Sequence, residues 1–335
     1  MDWELIGHDW AVDLLSEHVA GDSDHRGGKL RHAYLFTGPQ GVGRRSLAIR
    51  LAQAINCQQP PAPGQPCRTC PTCKQIERMQ HPDLSIVQAE TEGGTLKVEQ
   101  VRELQRSLAL TPYAARYRVA ILLRFEEANP NAANALLKTL EEPAPQVVLI
   151  LTAESAEALL PTIVSRCEIL RLRPSPVDVV SQGLQARWGL TPEQANLLAH
   201  LSGGRVGFAL RLSEAPDLLK QREAWLDDHR RLLAGSRVER FAYAEEIAKD
   251  KDALRQALNT WLSLWRDVLL RAGGAAAQVA NLDREADLAA LAERIDLPDV
   301  LRMVLAIERT QDLLDRNVNT RLATEVFLLD LPHMP

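Results

Sequence analysis

The sequence predicts an α/β domain built on a parallel, doubly wound sheet, with a cysteine-rich module inserted into it and helical segments after it. Three observations predict this. Apolar runs of strand length alternate with helical periodicities as far as about residue 173; a glycine-rich turn joins the first such strand to the first such helix; and beyond Pro174-Ser175-Pro176 only helical periodicity remains.

The first predicted strand is Leu30–Phe36. It runs into the turn Gly38–Gly43 and then a helical pattern over Ser46–Ala54, the order of a phosphate-binding loop. The insert Cys57–Cys73 follows, carrying Pro60, Pro61, Pro63, Gly64, Pro66 and Pro71. Val98, Val101, Leu104 and Leu108 then share one face of a helix expected over Val98–Leu110. Thr111-Pro112-Tyr113 reads as a turn into a strand at Val119–Leu123. A helix over Asn131–Leu140 stops before Pro143, Val147–Leu151 is a buried strand, and a helix is expected around Ala156–Val164. After Pro174 a short helical pair reaches about Leu212, with Gly203-Gly204 between its members. Long amphipathic helices continue to Leu331, and their charges between Gln221 and Lys251 read as solvated faces. Fixed-period repeats and low-complexity tracts are absent from the sequence.

With 335 residues, 46% of them hydrophobic, the chain has length for two or three domains and apolar surface for real cores. No apolar run reaches membrane-spanning length, and Asp2, Glu4 and Asp9 stand where a signal peptide would carry basic residues, so a soluble, cytoplasmic protein without membrane contact is expected. A net charge of −5 argues against a chain that holds nucleic acid by its overall charge; any DNA contact must be local or shared.

Gly38-Pro39-Gln40-Gly41-Val42-Gly43-Arg44-Arg45-Ser46 has the spacing of a Walker A loop, in which backbone N–H groups cradle phosphates, a lysine reaches the terminal phosphates and a Ser/Thr hydroxyl holds Mg²⁺. Arg44 stands at the lysine position and Arg45 at the hydroxyl position, where a guanidinium can only repel the metal. The loop is therefore read as a relic, against the alternative that Arg44 still binds phosphate without hydrolysis. An ATPase also needs an acidic pair at the end of the next apolar strand. After Val119–Leu122 those places hold Leu123 and Arg124, with Glu126 and Glu127 two or three residues late. Two separated defects point the same way, so no nucleotide cofactor is expected.

Four of the five cysteines, Cys57, Cys67, Cys70 and Cys73, are spaced C-x9-C-x2-C-x2-C, which lets four thiolates converge on a structural Zn²⁺. An all-thiolate set leaves no open position for catalysis, and Arg68 alone is basic between Cys57 and Cys73, which counts against a zinc module that reads nucleic acid. Cys167 stands apart and reads as a small buried residue. Arg166 beside it reads, on composition alone, as a surface or capping arginine.

Several further segments change the weight on Arg166. These are His81-Pro82-Asp83-Leu84, the run Asn134–Pro143 (NALLKTLEEP), Leu160-Pro161-Thr162-Ile163, Ser165-Arg166-Cys167 and Asn317–Leu322 (NVNTRL). Together with the degenerate loop and the four cysteines, they make the chain resemble, over nearly its whole length, the AAA+ clamp-loader family of the bacterial DNA polymerase III holoenzyme. The resemblance implies a RecA-like AAA+ domain over residues 1–173 with a zinc module at about 57–73, a helical lid over 174–213, and a helical collar for oligomerisation over 214–335. It also implies that Arg166 is an arginine finger acting in trans on ATP held by a neighbouring subunit. Motor subunits of the family keep the loop lysine and acidic pair, whereas one non-motor class commonly loses them while keeping finger and zinc. Phe208, where ATP-binding members usually carry a lid arginine, is a further departure. The implied function is a non-catalytic subunit, not itself an enzyme, working with gamma/tau motor subunits and a delta subunit in a hetero-pentamer that loads the sliding clamp onto primer-template DNA. The rival is an ATP-hydrolysing motor subunit of the same loader.

Overall fold

In the computed structural model, residues 3–23, 30–91, 93–316 and 318–334 are described. They divide into two compact units, Met1–Gly183 with Gly204–Phe208, and Leu184–Gly203 with Ala209–Pro335.

The first unit is built on five parallel strands: β1 (Ala33–Thr37), β2 (Leu84–Val87), β3 (Arg118–Leu122), β4 (Val147–Ala153) and β5 (Glu168–Arg171). Their order is β2-β3-β4-β1-β5. All residues of β1, β3 and β4 are buried, as expected of strands covered on both faces. Alternate residues supply two cores. Tyr34, Phe36, Val119, Ile121, Val148 and Ile150 face a cluster shared with α1 (Asp9–Ser23) and α2 (Arg44–Asn56). Ala33, Leu35, Ala120, Leu122, Leu149 and Leu151 face a cluster shared with α4 (Val98–Leu108) and α5 (Pro130–Glu141), with α3 (Pro71–Glu77) lying between α2 and α4 in sequence. This is the doubly wound layering the periodicities predict.

The predicted strands and most helices are present with ends moved by one to three residues. Two edge strands, β2 and β5, carry no clear signal because each has four residues with mixed burial. The helix expected around Ala156–Val164 is reduced to α6 (Pro161–Val164): Leu160 is extended at φ −62°, ψ 131°, as a residue before proline prefers, and Pro161 can only open a helix. The expected short pair up to Leu212 is instead three helices, α7 (Val177–Trp188), α8 (Pro192–Leu201) and α9 (Val206–Glu214). Gly189, at φ +66°, ends α7, and the Thr191/Gln194 capping box opens α8.

The second unit continues with α10 (Pro216–Ala234), α11 (Arg237–Ile247), α12 (Lys251–Ala272), α13 (Glu285–Arg294), α14 (Leu297–Asp315) and α15 (Thr320–Asp330) around one core holding Trp261, Trp265, Ile307 and Phe327. The charged stretch Gln221–Lys251 is not wholly a solvated face. His229 is buried and its Nε2 accepts the Trp265 Nε1–H at 2.9 Å. Arg240 is buried and, among the described residues, has no carboxylate partner; its guanidinium donates instead to the carbonyls of Leu232, Leu233, Leu328, Leu331 and Pro332. These lie at the C-terminal ends of α10 and α15, where unpaired carbonyls and the helix dipole favour a cation. Asn319 of the NVNTRL run caps α15 by accepting the Leu322 N–H at 3.0 Å; Asn317 lies outside the described residues.

Candidate functional site

The glycine-rich turn lies at the C-terminal end of β1, a strand flanked by β4 and β5, which is where open α/β sheets bind ligands. Gly38, Gly41 and Gly43 have φ of +143°, +83° and +114°. A Cβ on Gly38 would stand 2.3 Å from the Leu172 carbonyl oxygen and one on Gly41 would stand 2.9 Å from the Phe208 amide nitrogen, so no other residue fits at either place. The loop backbone thus requires glycine at Gly38 and Gly41. It is also tied down: the Gly207 N–H donates to the Gly41 carbonyl at 2.8 Å, and His8 Nε2 donates to the Val42 carbonyl at 2.9 Å.

The side chains differ from those of a working site. Arg44, first residue of α2, folds inward to 8% exposure with Nη1 3.9 Å from Glu126 Oε1. Burial lowers its pKa and raises that of Glu126, and their mutual attraction offsets part of each shift. Arg45 points outward and donates from Nη2 to the Met79 sulfur. Ser46 is exposed. Leu123 is buried. Arg124, in the left-handed region at φ 48°, donates from its N–H to Thr152 Oγ1 and from Nε to Glu127 Oε1. The late carboxylates Glu126 and Glu127 lie in a 3₁₀ turn, Phe125–Glu127, and are engaged by this chain's own arginines. Phe208, at the expected lid-arginine place, packs against Gly41, with the Arg205 guanidinium 4.7 Å above its ring.

The four cysteines are brought together. One sulfur from each of Cys57, Cys67, Cys70 and Cys73 lies within 4.8 Å of the others, and Cys67 Sγ is 4.0 Å from Cys73 Sγ. Tetrahedral Zn–S bonds of about 2.3 Å require sulfurs about 3.8 Å apart, so the donor set fits the ion. Backbone N–H groups of Cys67, Cys70 and Cys73 donate to the sulfurs of Cys57, Cys67 and Cys70 at 3.2, 3.3 and 3.4 Å. Burial works against a Cys67 thiolate, but the N–H groups of Cys70 and Thr69 outweigh it and bring its pKa down to about 6; burial pushes the Cys57 and Cys73 thiols up. A divalent cation is the charge that lets all four ionise together. Cys70 and Cys73 are buried and Ile76 of α3 enters the β1–α2 core, which anchors the module. Cys167 is half-buried, and burial pushes its thiol up to about 12.

Arg166 follows α6. Its Nη1 donates to the Thr162 carbonyl at 2.7 Å and to Ser165 Oγ at 3.4 Å, and its Nη2 donates to Glu141 Oε1 at 2.7 Å. The side chain is 34% exposed. Sequence reasoning quoted Glu141 within the NALLKTLEEP run and assigned it no role. It also missed Asp83, whose buried carboxylate accepts the N–H groups of Tyr113, Ala114 and Ala115 at 2.7, 2.7 and 2.9 Å, with Arg118 Nη2 at 3.5 Å. The H-P-D-L segment was read only as part of the family resemblance, and the partners of Asp83 lie some thirty residues on.

A family model described as "DNA polymerase III, delta subunit" matches residues 21–176, and one described as "DNA polymerase III, delta subunit, C terminal" matches residues 216–333. DNA polymerase III subunit delta' of Bacillus subtilis is 29% identical over 90% of this chain and 91% of its own length. The chain belongs to the delta-prime family of AAA+ clamp-loader subunits of DNA polymerase III. Subunit delta' of Pseudomonas aeruginosa is 38% identical over 61% of this chain and 60% of its own. Subunit tau of Escherichia coli is 32% identical over 64% of this chain but 34% of its own, so the chain spans about a third of that relative. No helix among the described residues is long and apolar enough to cross a membrane.

Proposed function

We propose that the chain is a non-catalytic clamp-loader subunit that neither binds Mg·ATP usefully nor hydrolyses it, and that it serves a neighbouring subunit's ATP through Arg166. Arg44 carries this reading. A guanidinium folded inward beside Glu126 stands where a lysine would reach phosphate, while Arg45, Leu123 and Arg124 supply neither a metal ligand nor a group to polarise water. Glycine geometry is kept and ionic chemistry is lost, the pattern of a loop retained for its shape. Arg166 lies outside that loop, partly exposed, with N–H groups to spare for a phosphoryl group from outside the chain.

On this reading residues 1–173 form the RecA-like domain, 174–213 a lid and 214–335 a collar, and the metal held by Cys57, Cys67, Cys70 and Cys73 is structural Zn²⁺. The partners are gamma/tau motor subunits and a delta subunit in a hetero-pentamer, with the sliding clamp and primer-template DNA engaged by the assembled complex in the cytoplasm. The net charge of −5 fits DNA contact that is shared rather than carried by this chain.

The test is steady-state ATP hydrolysis of the reconstituted loader carrying Arg166→Ala, with gel filtration to establish equal assembly. Stimulated turnover should fall sharply, toward loss of the about 10³–10⁵-fold that trans-acting arginines supply at a single site, with residual activity from other motor sites. Unchanged turnover returns Arg166 to an ordinary surface arginine. Saturable micromolar binding of Mg·ATP by the isolated chain would refute the non-catalytic reading.

A further inference from the structure

The arginine is not a free surface side chain, and what holds it calls for explanation. Glu141 is the last residue of α5, with Glu142 next to it. Carboxylates are disfavoured at a helix C-terminus, where the dipole and the unpaired carbonyls are negative. Neither Leu140, buried in the core one residue earlier, nor Pro143 two residues on needs an acid there. Glu141 Oε1 accepts from Arg166.

The distribution of that guanidinium's five N–H groups is informative. Nη1 is committed to the Thr162 carbonyl and Ser165 Oγ, and one Nη2–H to Glu141 Oε1. Among the described residues, Nε–H and one Nη2–H are uncommitted, so the guanidinium keeps two donors for oxygens of a phosphoryl group. Glu141 stands on α5 and Thr162 on α6, two elements packed on the same core through Leu136, Leu140 and Ile163. They therefore hold the guanidinium at Nη1 and Nη2 from two anchored points, with the side chain still 34% exposed.

We infer that Glu141 is the positioning residue of the finger, holding the Arg166 guanidinium in place, with two of its donors uncommitted, before a neighbour's phosphate arrives. This rests on the reading of Arg166 given above. An arginine side chain loses much rotamer freedom when it engages a phosphate; if Glu141 and Thr162 have already restricted it, less is lost in the transition state, so the benefit falls on turnover and not on ATP binding.

The experiment uses the reconstituted loader with Glu141→Ala, Glu141→Gln, Arg166→Ala and the double variant Arg166→Ala/Glu141→Ala, reading kcat and the KM for ATP. Glu141 is half-exposed, so folding is not at risk, and gel filtration establishes assembly. Glu141→Ala should lower the turnover contributed by the site that Arg166 serves about fivefold, the rate equivalent of a well-placed half-exposed pair, so that the loader's kcat falls by less than in Arg166→Ala, with KM unchanged. Glu141→Gln, which keeps an acceptor oxygen, should recover part of the loss, and the double variant should match Arg166→Ala alone. Unchanged or raised kcat in Glu141→Ala, or a further loss in the double variant, would overturn the inference while leaving the finger intact. Wild-type turnover in Arg166→Ala would instead overturn the finger, and the inference with it.

Discussion

Asp83 offers the sharpest test of how this fold is held. Its carboxylate has no exposed side-chain surface and accepts three consecutive backbone N–H groups, Tyr113 on Oδ1 and Ala114 and Ala115 on Oδ2, with Arg118 Nη2 3.5 Å away. Burial penalises the charged form, yet the three N–H groups and Arg118 outweigh it and hold the carboxyl below its ordinary pKa. Asp83→Asn can keep its amide oxygen on the Ala114 and Ala115 N–H groups, but its NH₂ then faces the Tyr113 N–H and the Arg118 guanidinium. One orphaned N–H costs about 1–3 kcal/mol, and two charge-assisted bonds made neutral cost about 1 kcal/mol more, for a total of about 3 kcal/mol. Asp83→Ala, which orphans all three donors, should cost more. The assay is urea unfolding followed by circular dichroism with a common m-value, alongside the wild-type chain. Because the folded pKa is depressed, the wild-type contribution is fully present above the unfolded pKa of about 4 and is lost as pH falls through the folded value; the Asn variant should lack that acid-side loss. An Asn variant within 1 kcal/mol of wild type, or an Ala variant no worse than Asn, would refute the reasoning.

Other outcomes follow from the same structure. Protein purified in reducing buffer without added metal should carry one zinc per chain by metal analysis, and Cys73→Ser should lose it and lower the unfolding temperature, because Cys73 and Ile76 are packed inside the first unit; a stoichiometry near zero in folded protein would refute the zinc reading. His229 is held neutral, its pKa pushed down to about 3 by burial and then by Arg240. Below its unfolded pKa of about 6.5 the unfolded chain takes up a proton that the folded one refuses, so stability should decline as pH falls from there toward 3. In His229→Gln, which keeps an acceptor for Trp265, that slope should flatten in pH-dependent unfolding; an unchanged slope would assign it to other groups.

Much of the first unit was legible in the order of residues. β1, β3 and β4 are apolar runs buried on both faces, and such runs need no partner to be recognised. β2 and β5 were hidden because an edge strand of four residues is half solvated, and its identity comes from the strand it pairs with. The C-x9-C-x2-C-x2-C spacing and the arginines at the lysine and hydroxyl positions of the loop were likewise plain, since convergence of thiolates and the sign of a charge are local properties. The helix expected before Val164 was overdrawn because the pre-proline restriction at Leu160 outweighs a weak apolar periodicity.

By itself, then, the sequence determined the layered α/β class, the cysteine set and the loss of ionic groups from the phosphate loop. The tertiary structure decided what those charges do instead. Glu126 reads as a carboxylate out of register until folding brings it beside Arg44, and Arg240 reads as surface until the ends of α10 and α15 present their carbonyls to it. Glu141 and Arg166 lie 25 residues apart, on elements that meet only because both pack on one sheet face. Apolar patterning is written locally because burial acts on each residue's own surface; ion pairs and nests of N–H groups need a second partner at a fixed distance, and that distance exists only in the folded chain.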